Sequence, residues 1–382
     1  MKKACLSLVF LCLLRALPLH AQPLLFPLPD QTGKWGYADQ NGKMVIAPRF
    51  LGAGPFHEGR ALVAQSVPGK EEVRYDVIDE TGQIQFNFPI DLGETSSLWN
   101  NHYHRFVEGK MVFSDFWSSG DKVYKFYNRE GKIVFKFPHQ SENYPNITNF
   151  SDGLAYGHLN DSTYAYFDEA GNVKMQGKLM DTFVFDRSFF QGLAIGNYAY
   201  YGNDPNKPEP PYFIDKNGQR VDKFKIPKDV VELGTFEGGY AFLGREAVQN
   251  VDGEEYKPLP PYIMDKQGKM TEVKILLQPS SPVTYVNGYN FFEELALVQE
   301  LPNSGEYIMN AVFITPDGEV AWRVKEKLAP LKVDFVEHWL MGGRFHQGLS
   351  AWEIGWTDVK RQLVYLDKTG KVVFASPIYS LH

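Results

Sequence analysis

The chain has 382 residues, a formal net charge of −7, 43% hydrophobic residues and only two cysteines. The acidic balance argues against nucleic acid or anionic lipid as the main partner, since both require a clustered basic face. The 34 glycines, 24 prolines and 15% aromatic content suit many short strands joined by tight turns.

From the N-terminus, Lys2 and Lys3 precede an apolar stretch from Leu6 to Leu14, and Leu19-His20-Ala21 offers a small-residue cleavage site before Gln22. That order reads as a secretory signal over residues 1–21, with residues 22–382 as the mature β domain. The apolar run is too short for a spanning helix, which needs roughly 20 residues. Cys5 and Cys12 both fall within the signal, so the mature protein is expected to carry no disulfide, thiol nucleophile or thiolate metal ligand. The expected location is secreted, periplasmic or the cell envelope, with no membrane span after cleavage.

One unit then recurs along the chain: an aromatic-rich stretch, Asp-x-x-Gly, and an alternating apolar stretch. Its glycines are Gly42, Gly82, Gly131, Gly171, Gly218, Gly268, Gly318 and Gly370, spaced 40 to 52 residues apart. Five residues before each Gly stands a large side chain: Tyr37, Val77, Phe126, Tyr166, Phe213, Ile263, Phe313 and Tyr365. Pairs such as Ile84 and Phe86, Ile133 and Phe135, or Val173 and Met175 follow two and four residues after it. This period of two is that of a strand with one buried face, so each unit is a β-hairpin. The Asp carboxylate is expected to accept backbone N–H bonds inside a type I turn, and the Gly to take a positive φ. Asn128 can do the same; Thr315 does it less well. A carboxylate that recurs where the turn needs it is structural rather than a calcium ligand or a catalytic acid.

A second motif, Phe-x-x-Gly before a short apolar strand, occurs at Phe56, Phe106, Phe150, Phe189, Phe236 and Phe345, and Glu294 stands in the Gly position before Leu295. The Phe reads as a plug packed under the loop.

Lys34-Trp35-Gly36-Tyr37 with Asn41-Gly42-Lys43, Ile46-Ala47-Pro48 and Phe56-His57-Glu58-Gly59-Arg60-Ala61-Leu62-Val63 resembles a complete unit of the bacterial WG-repeat family. The resemblance implies an exported or cell-associated repeat protein with no shared catalytic residues. Later units keep the turn and the plug but have lost the Trp-Gly pair.

About eight units with periods near those of a propeller blade predict an all-β, seven- or eight-bladed β-propeller. An open curled β-array is the alternative, because no strand exchange between the chain ends is evident. Variable segments between repeats are the natural place for function: residues 87–105, 197–211, 243–261, 274–290 and 323–344. Trp99 and the cluster of Tyr198, Tyr200 and Tyr201 are candidate binding residues that could stack on sugar or peptide. His102 and His104 share a strand face but lack a third ligand nearby in sequence, so neither a metal nor a cofactor is expected. Without a nucleophile elbow, phosphate loop or zinc-protease helix, the expected function is non-enzymatic binding or scaffolding, with a protein or glycan of the cell envelope as partner. An envelope hydrolase acting on glycan through paired carboxylates is the alternative.

Overall fold

The computed structural model describes residues 24–380 except 71–72, 89–104, 115–122, 139–146, 161, 179–187, 198–210, 246–247, 250–255, 258, 276–289, 300–310, 334, 338–343 and 357–358. Short antiparallel meanders succeed one another along the chain. The first, Phe26–Pro29, Trp35–Ala38 and Met44–Phe50, has three strands. The second is the pattern for the rest: Gly52–Ala53, Ala61–Ser66, Val73–Ile78 and Ile84–Phe88, paired in chain order. Six more follow, centred on Val123–Asn128, Thr163–Phe167, Tyr212–Asp215, Tyr262–Asp265, Ala311–Ile314 and Lys360–Leu366.

The hairpin turns form as their composition dictates. Asp39 Oδ1 accepts the N–H groups of Asn41 and Lys43, both at 2.9 Å, and the same pair of bonds recurs at Asp79, Asn128, Asp168, Asp215, Asp265 and Asp367. All eight turn glycines have φ between +74° and +85°. Each large side chain five residues before the Gly is buried. The position four residues after the Gly packs beneath the next unit's turn: a Cβ at Gly82 would lie 3.0 Å from Ile46, one at Gly131 2.5 Å from Phe86, and one at Gly171 2.5 Å from Phe135. Ile84, Ile133 and Val173, two residues after the Gly, are instead exposed. A bulge at the strand start, seen between Val77 and Ile78, breaks the strict alternation there.

The Trp-Gly pair has a steric reason. A Cβ at Gly36 would lie 2.3 Å from the carbonyl oxygen of Ile46, so only glycine lets Met44–Phe50 approach. Trp35 meets Tyr379 edge-on from the C-terminal end of the chain.

The array is closed. A Cβ at Gly42 would lie 2.6 Å from Phe374 in the last meander, and the Tyr365 hydroxyl donates to Pro27 O at 2.6 Å. The open-array alternative is therefore excluded. Among the described residues no strand is exchanged between the ends; side chains make the junction, and one apolar cluster gathers Phe26 and Tyr37, Ala61 and Val63, and Leu363 and Tyr365. Each of six further clusters bridges two consecutive meanders. The architecture is an all-β propeller of seven blades, with the N-terminal three-stranded meander set between the last blade and the first.

Because strands alternate in direction, the first and third turns of every blade share one end. The strand ends at Ser114 and Val123, Asn197 and Tyr212, Arg245 and Tyr262, and Gln299 and Ala311 therefore all lie at the opposite end.

Candidate functional site

The Phe plug is followed, in each of the seven blades, by a two-residue hairpin turn with two consecutive left-handed residues. These are Glu58-Gly59, Glu108-Gly109, Asp152-Gly153, Gln191-Gly192, Gly238-Gly239, Glu293-Glu294 and Gln347-Gly348, with φ from +51° to +93°. That is the geometry of a type I′ turn, which matches strand twist but burdens any residue with a Cβ. In the first blade, His57 and Arg60 exchange both backbone bonds across it.

The strained acidic residues are held by the neighbouring blade. Glu58 accepts the N–H groups of Glu108 at 2.8 Å and Gly109 at 2.7 Å. Glu108 accepts that of Gly153 at 2.8 Å, Asp152 that of Gly192, and Glu293 that of Gly348 at 3.0 Å. Where Gly238 has no side chain, the backbone itself comes close, since a Cβ there would lie 1.8 Å from Phe291 O. A carboxylate beside donors and cations is charge-assisted in its hydrogen bonding. Burial acts to raise the Glu58 pKa, but its bonds from Arg129, Gly109 and Glu108 outweigh that and hold it below the usual carboxylate value.

A second kind of contact comes from the residue after the plug in two blades. The Ser151 hydroxyl donates to Phe189 O at 2.5 Å, one blade onward. His346 Nε2 lies 2.8 Å from Phe56 O by the same step, although 290 residues separate the two. The last blade thus contacts the first as the third contacts the fourth. Seven turns touching in a closed ring line the narrow region around the propeller axis.

Polar side chains converge inside that ring. The residues preceding the plugs are Pro55, Arg105, Asn149, Ser188, Thr235, Asn290 and Arg344, polar at six of seven positions. Thr235 Oγ1 and Asn290 Oδ1 are 3.2 Å apart, and Asn290 Nδ2 donates to Glu237 Oε2 at 2.9 Å. Arg105, from the second blade, reaches to 3.9 Å from Glu237 Oε1 of the fifth, which is beyond hydrogen-bond distance. Arg105 Nε is buried without a protein partner. Arg344 lies over the Phe292 ring, its guanidinium carbon 4.7 Å from the centroid. The His57 and His346 rings are 4.5 Å apart. Burial pushes the His57 pKa well below its ordinary value, and the charges of His346 and Arg105 push it further. Burial also lowers that of His346, opposed by its bond to Phe56 O and by Glu293.

Trp99, His102, His104, Tyr198, Tyr200 and Tyr201, the residues singled out by sequence, lie outside the described residues. Among the described residues no three His, Cys, Asp or Glu side chains are grouped to hold a metal ion. Apart from His57, which stands in the repeat motif of the first unit, the axial residues belong to no motif by themselves. Their signal was positional: a polar residue immediately before a plug Phe, repeated along the chain.

The family model for the WG containing repeat matches residues 35–66, from Trp35 through the strand Ala61–Ser66. No curated protein matches the chain. Among solved structures, the chain is similar to the computationally designed Ika8 protein at 11% identity and TM-score 0.44, covering 86% of each chain. An uncharacterized protein from Listeria monocytogenes EGD-e matches at 11% identity and TM-score 0.46, covering 85% of this chain and 92% of that one. BamB from Moraxella catarrhalis matches at 10% identity and TM-score 0.30, covering 92% and 81%.

Proposed function

With residues 35–66 forming a WG containing repeat as the premise, we propose that the protein is an exported, non-enzymatic binding or scaffolding protein whose partner is a protein or glycan of the cell envelope. The observation that carries this reading is the division of the propeller into two ends. One end holds short, uniform turns locked to each other; at the other end lie the strand ends Ser114 and Val123, Asn197 and Tyr212, Arg245 and Tyr262, and Gln299 and Ala311, which are separated in sequence by unequal numbers of residues. Variable loops on a rigid ring are the arrangement by which repeat scaffolds present a binding surface. The basic, apolar and small-residue order of residues 1–21 supports export.

The test has three arms. Intact mass of protein recovered from the envelope or medium reads cleavage near Ala21; a chain still starting at Met1 overturns export. Pull-down from envelope extract, with and without shortening of 198–210, reads partner capture. Capture that survives the shortening of that loop and of 246–255 in turn defeats the loop-face reading. A parallel turnover screen on glycans and peptides is expected to give no product; turnover abolished by one Asp→Asn or Glu→Gln change overturns the non-enzymatic reading.

A further inference from the structure

The residues that follow the seven plugs are His57, Val107, Ser151, Phe190, Glu237, Phe292 and His346. Imidazoles thus fall in the first and last blades, whose axial turns meet where the ring closes. Their ring centroids are 4.5 Å apart, and His346 Nε2 stands 2.8 Å from Phe56 O. A carbonyl oxygen only accepts, so Nε2 carries the hydrogen. The bond between turns found at other junctions is replaced here. Glu58, Glu108, Asp152 and Glu293 each accept an N–H group of the next blade's turn. Gln347 has the same place in the last blade, but its Oε1 is buried without a donor among the described residues. At the axis the imidazole pair stands where the other blades have that lock.

The charges around the pair come from several blades. Arg105 of the second blade acts on both rings, and Glu293 of the sixth acts on His346. Glu293 also accepts Gly348 N–H and lies 3.6 Å from Lys368. The carboxylates of the other axial turns are directed onward: Glu58 to Glu108 N–H, Gly109 N–H and Arg129, Glu108 to Gly153 N–H, and Asp152 to Gly192 N–H. Glu294 is exposed. Glu237 accepts from Asn290, Arg344 lies over Phe292, and both have further partners. Arg60, beside the first turn, acts on Glu80. A proton on either ring therefore meets Arg105, and a second proton also meets the other imidazolium, with Glu293 opposing them at His346.

We propose that the junction between the last blade and the first is a proton-operated latch: the His57 and His346 rings hold the two axial turns together while neutral, and charging the pair releases them. The device is independent of any partner at the loop-bearing end. Release follows from charge and not from a lost bond, because a protonated His346 still donates to Phe56 O. Burial, with Arg105, holds both rings below the ordinary value of 6.5, against the Phe56 O bond and Glu293 at His346. Separated turns would return the rings to water and to that ordinary value. The open form then binds protons more readily, so it gains as pH falls below about 6.5, whereas above that both forms are neutral and the latch stays shut. The wedge contacts of Tyr37 with Gly54 O and of Tyr365 with Pro27 O persist, because burial pushes both phenols further above the range in which the imidazoles titrate.

The turns supply their own controls, since the reciprocal backbone bonds of His57 with Arg60 recur for Val107 with Lys110 and Ser151 with Leu154, and His346 pairs with Leu349 in the last blade. Hydrogen exchange of the whole chain, read by nitrogen-15 NMR at about pH 7.5 and about pH 5 and referenced to intrinsic rates, compares these amides. Acid should lower protection about tenfold or more at His57, Arg60, His346 and Leu349 and change it little at Val107, Lys110, Ser151 and Leu154. His57→Phe combined with His346→Gln, whose side-chain amide can still donate to Phe56 O, should keep the seam protected at both pH values. Arg105→Gln leaves both imidazoles in place and removes a charge that opposes their protonation, so the loss of protection should move to lower pH. Circular dichroism checks the fold of each variant. Unchanged protection at the seam, an equal loss at the control amides, a loss that persists in the double variant, or an undisplaced transition in Arg105→Gln overturns the proposal.

Discussion

Replacing Gly131 and Gly109 by alanine separates two effects that both turn types impose on glycine. The two have nearly the same backbone, φ +77° and +73°. A left-handed conformation costs a residue with a Cβ about 1–2 kcal/mol, so that term is common to both variants. At Gly109 a Cβ would meet nothing within 4 Å, whereas at Gly131 it would lie 2.5 Å from Phe86 Cγ and 2.8 Å from Phe86 Cβ. Forcing atoms into a packed site adds about 1–3 kcal/mol. The expected losses are then about 1–2 kcal/mol for Gly109→Ala and about 2–5 kcal/mol for Gly131→Ala. Urea unfolding followed by circular dichroism measures both, with the slope of the transition checked so that the same states are compared. In a Phe86→Ala background the ring is gone but its Cβ remains, so the cost of Gly131→Ala should fall only in part. Equal losses for the two single variants would refute the account of turn stacking between blades.

Gly36→Ala should destabilise by more than Gly109→Ala although Gly36 needs no positive φ, because its new Cβ would meet the backbone of Ile46 at 2.3 Å and backbone cannot rotate aside; the same urea titration reads it. Glu58→Ala removes the acceptor of two turn N–H bonds and of Arg129, and at this half-open site should cost about 1–2 kcal/mol, with faster hydrogen exchange at the Glu108 and Gly109 amides as the local check. For His57, the folded pKa lies below the ordinary value of 6.5, so as pH falls below about 6.5 the unfolded chain takes up the proton first. Its contribution to stability is full above that pH and is lost as pH falls toward the folded-state pKa, at up to about 1.4 kcal/mol per pH unit. His57→Phe should flatten the stability profile in this window and leave the lower one, where Asp30, Asp79 and Asp367 titrate, in place.

Local rules were legible in the sequence wherever one residue decides the conformation. Asp39 and Gly42 sit where a turn needs an acceptor and a positive φ, and the fold uses both as expected. The buried register from Tyr37 to Tyr365 was legible for the same reason: a large side chain at one fixed offset from a turn can face only one way. Ile84 and Ile133 were assigned to the covered face because strict alternation was carried across a bulge that sequence does not mark. The left-handed Glu58, Glu108 and Asp152 were not legible, since isolated turn chemistry would place Asn or Gly there. They make sense only with the next blade present, whose N–H groups the carboxylates accept. Arg105 became a site residue only by facing Glu237, three blades away.

The number of units illustrates the same division between local and cooperative information. Among the described residues nine Asp-x-x-Gly-type turns are present, two of them, Asp30–Gly33 and Asp39–Gly42, in the N-terminal meander, but seven Phe plugs, none of them in that meander. A propeller axis is formed by the plug-bearing turns, so the axial ring closes at seven, by the His346 contact to Phe56 O. The rim is wider, and the N-terminal meander fills the sector that opens there between the last blade and the first. Its two faces are anchored differently from the axis: Tyr37 donates its hydroxyl to Gly54 O at 2.8 Å on one side, and Tyr365 reaches Pro27 O on the other. Both phenols are fully buried, so each hydroxyl requires its carbonyl partner, and the wedge can enter only in the register that supplies them. Closure thus rests on two separate contacts, an axial one between turns and a peripheral one through the wedge. A propeller that shares a strand between its ends unites these functions in one blade; here the extra meander supplies the peripheral lock and leaves all seven axial turns free to repeat the same geometry.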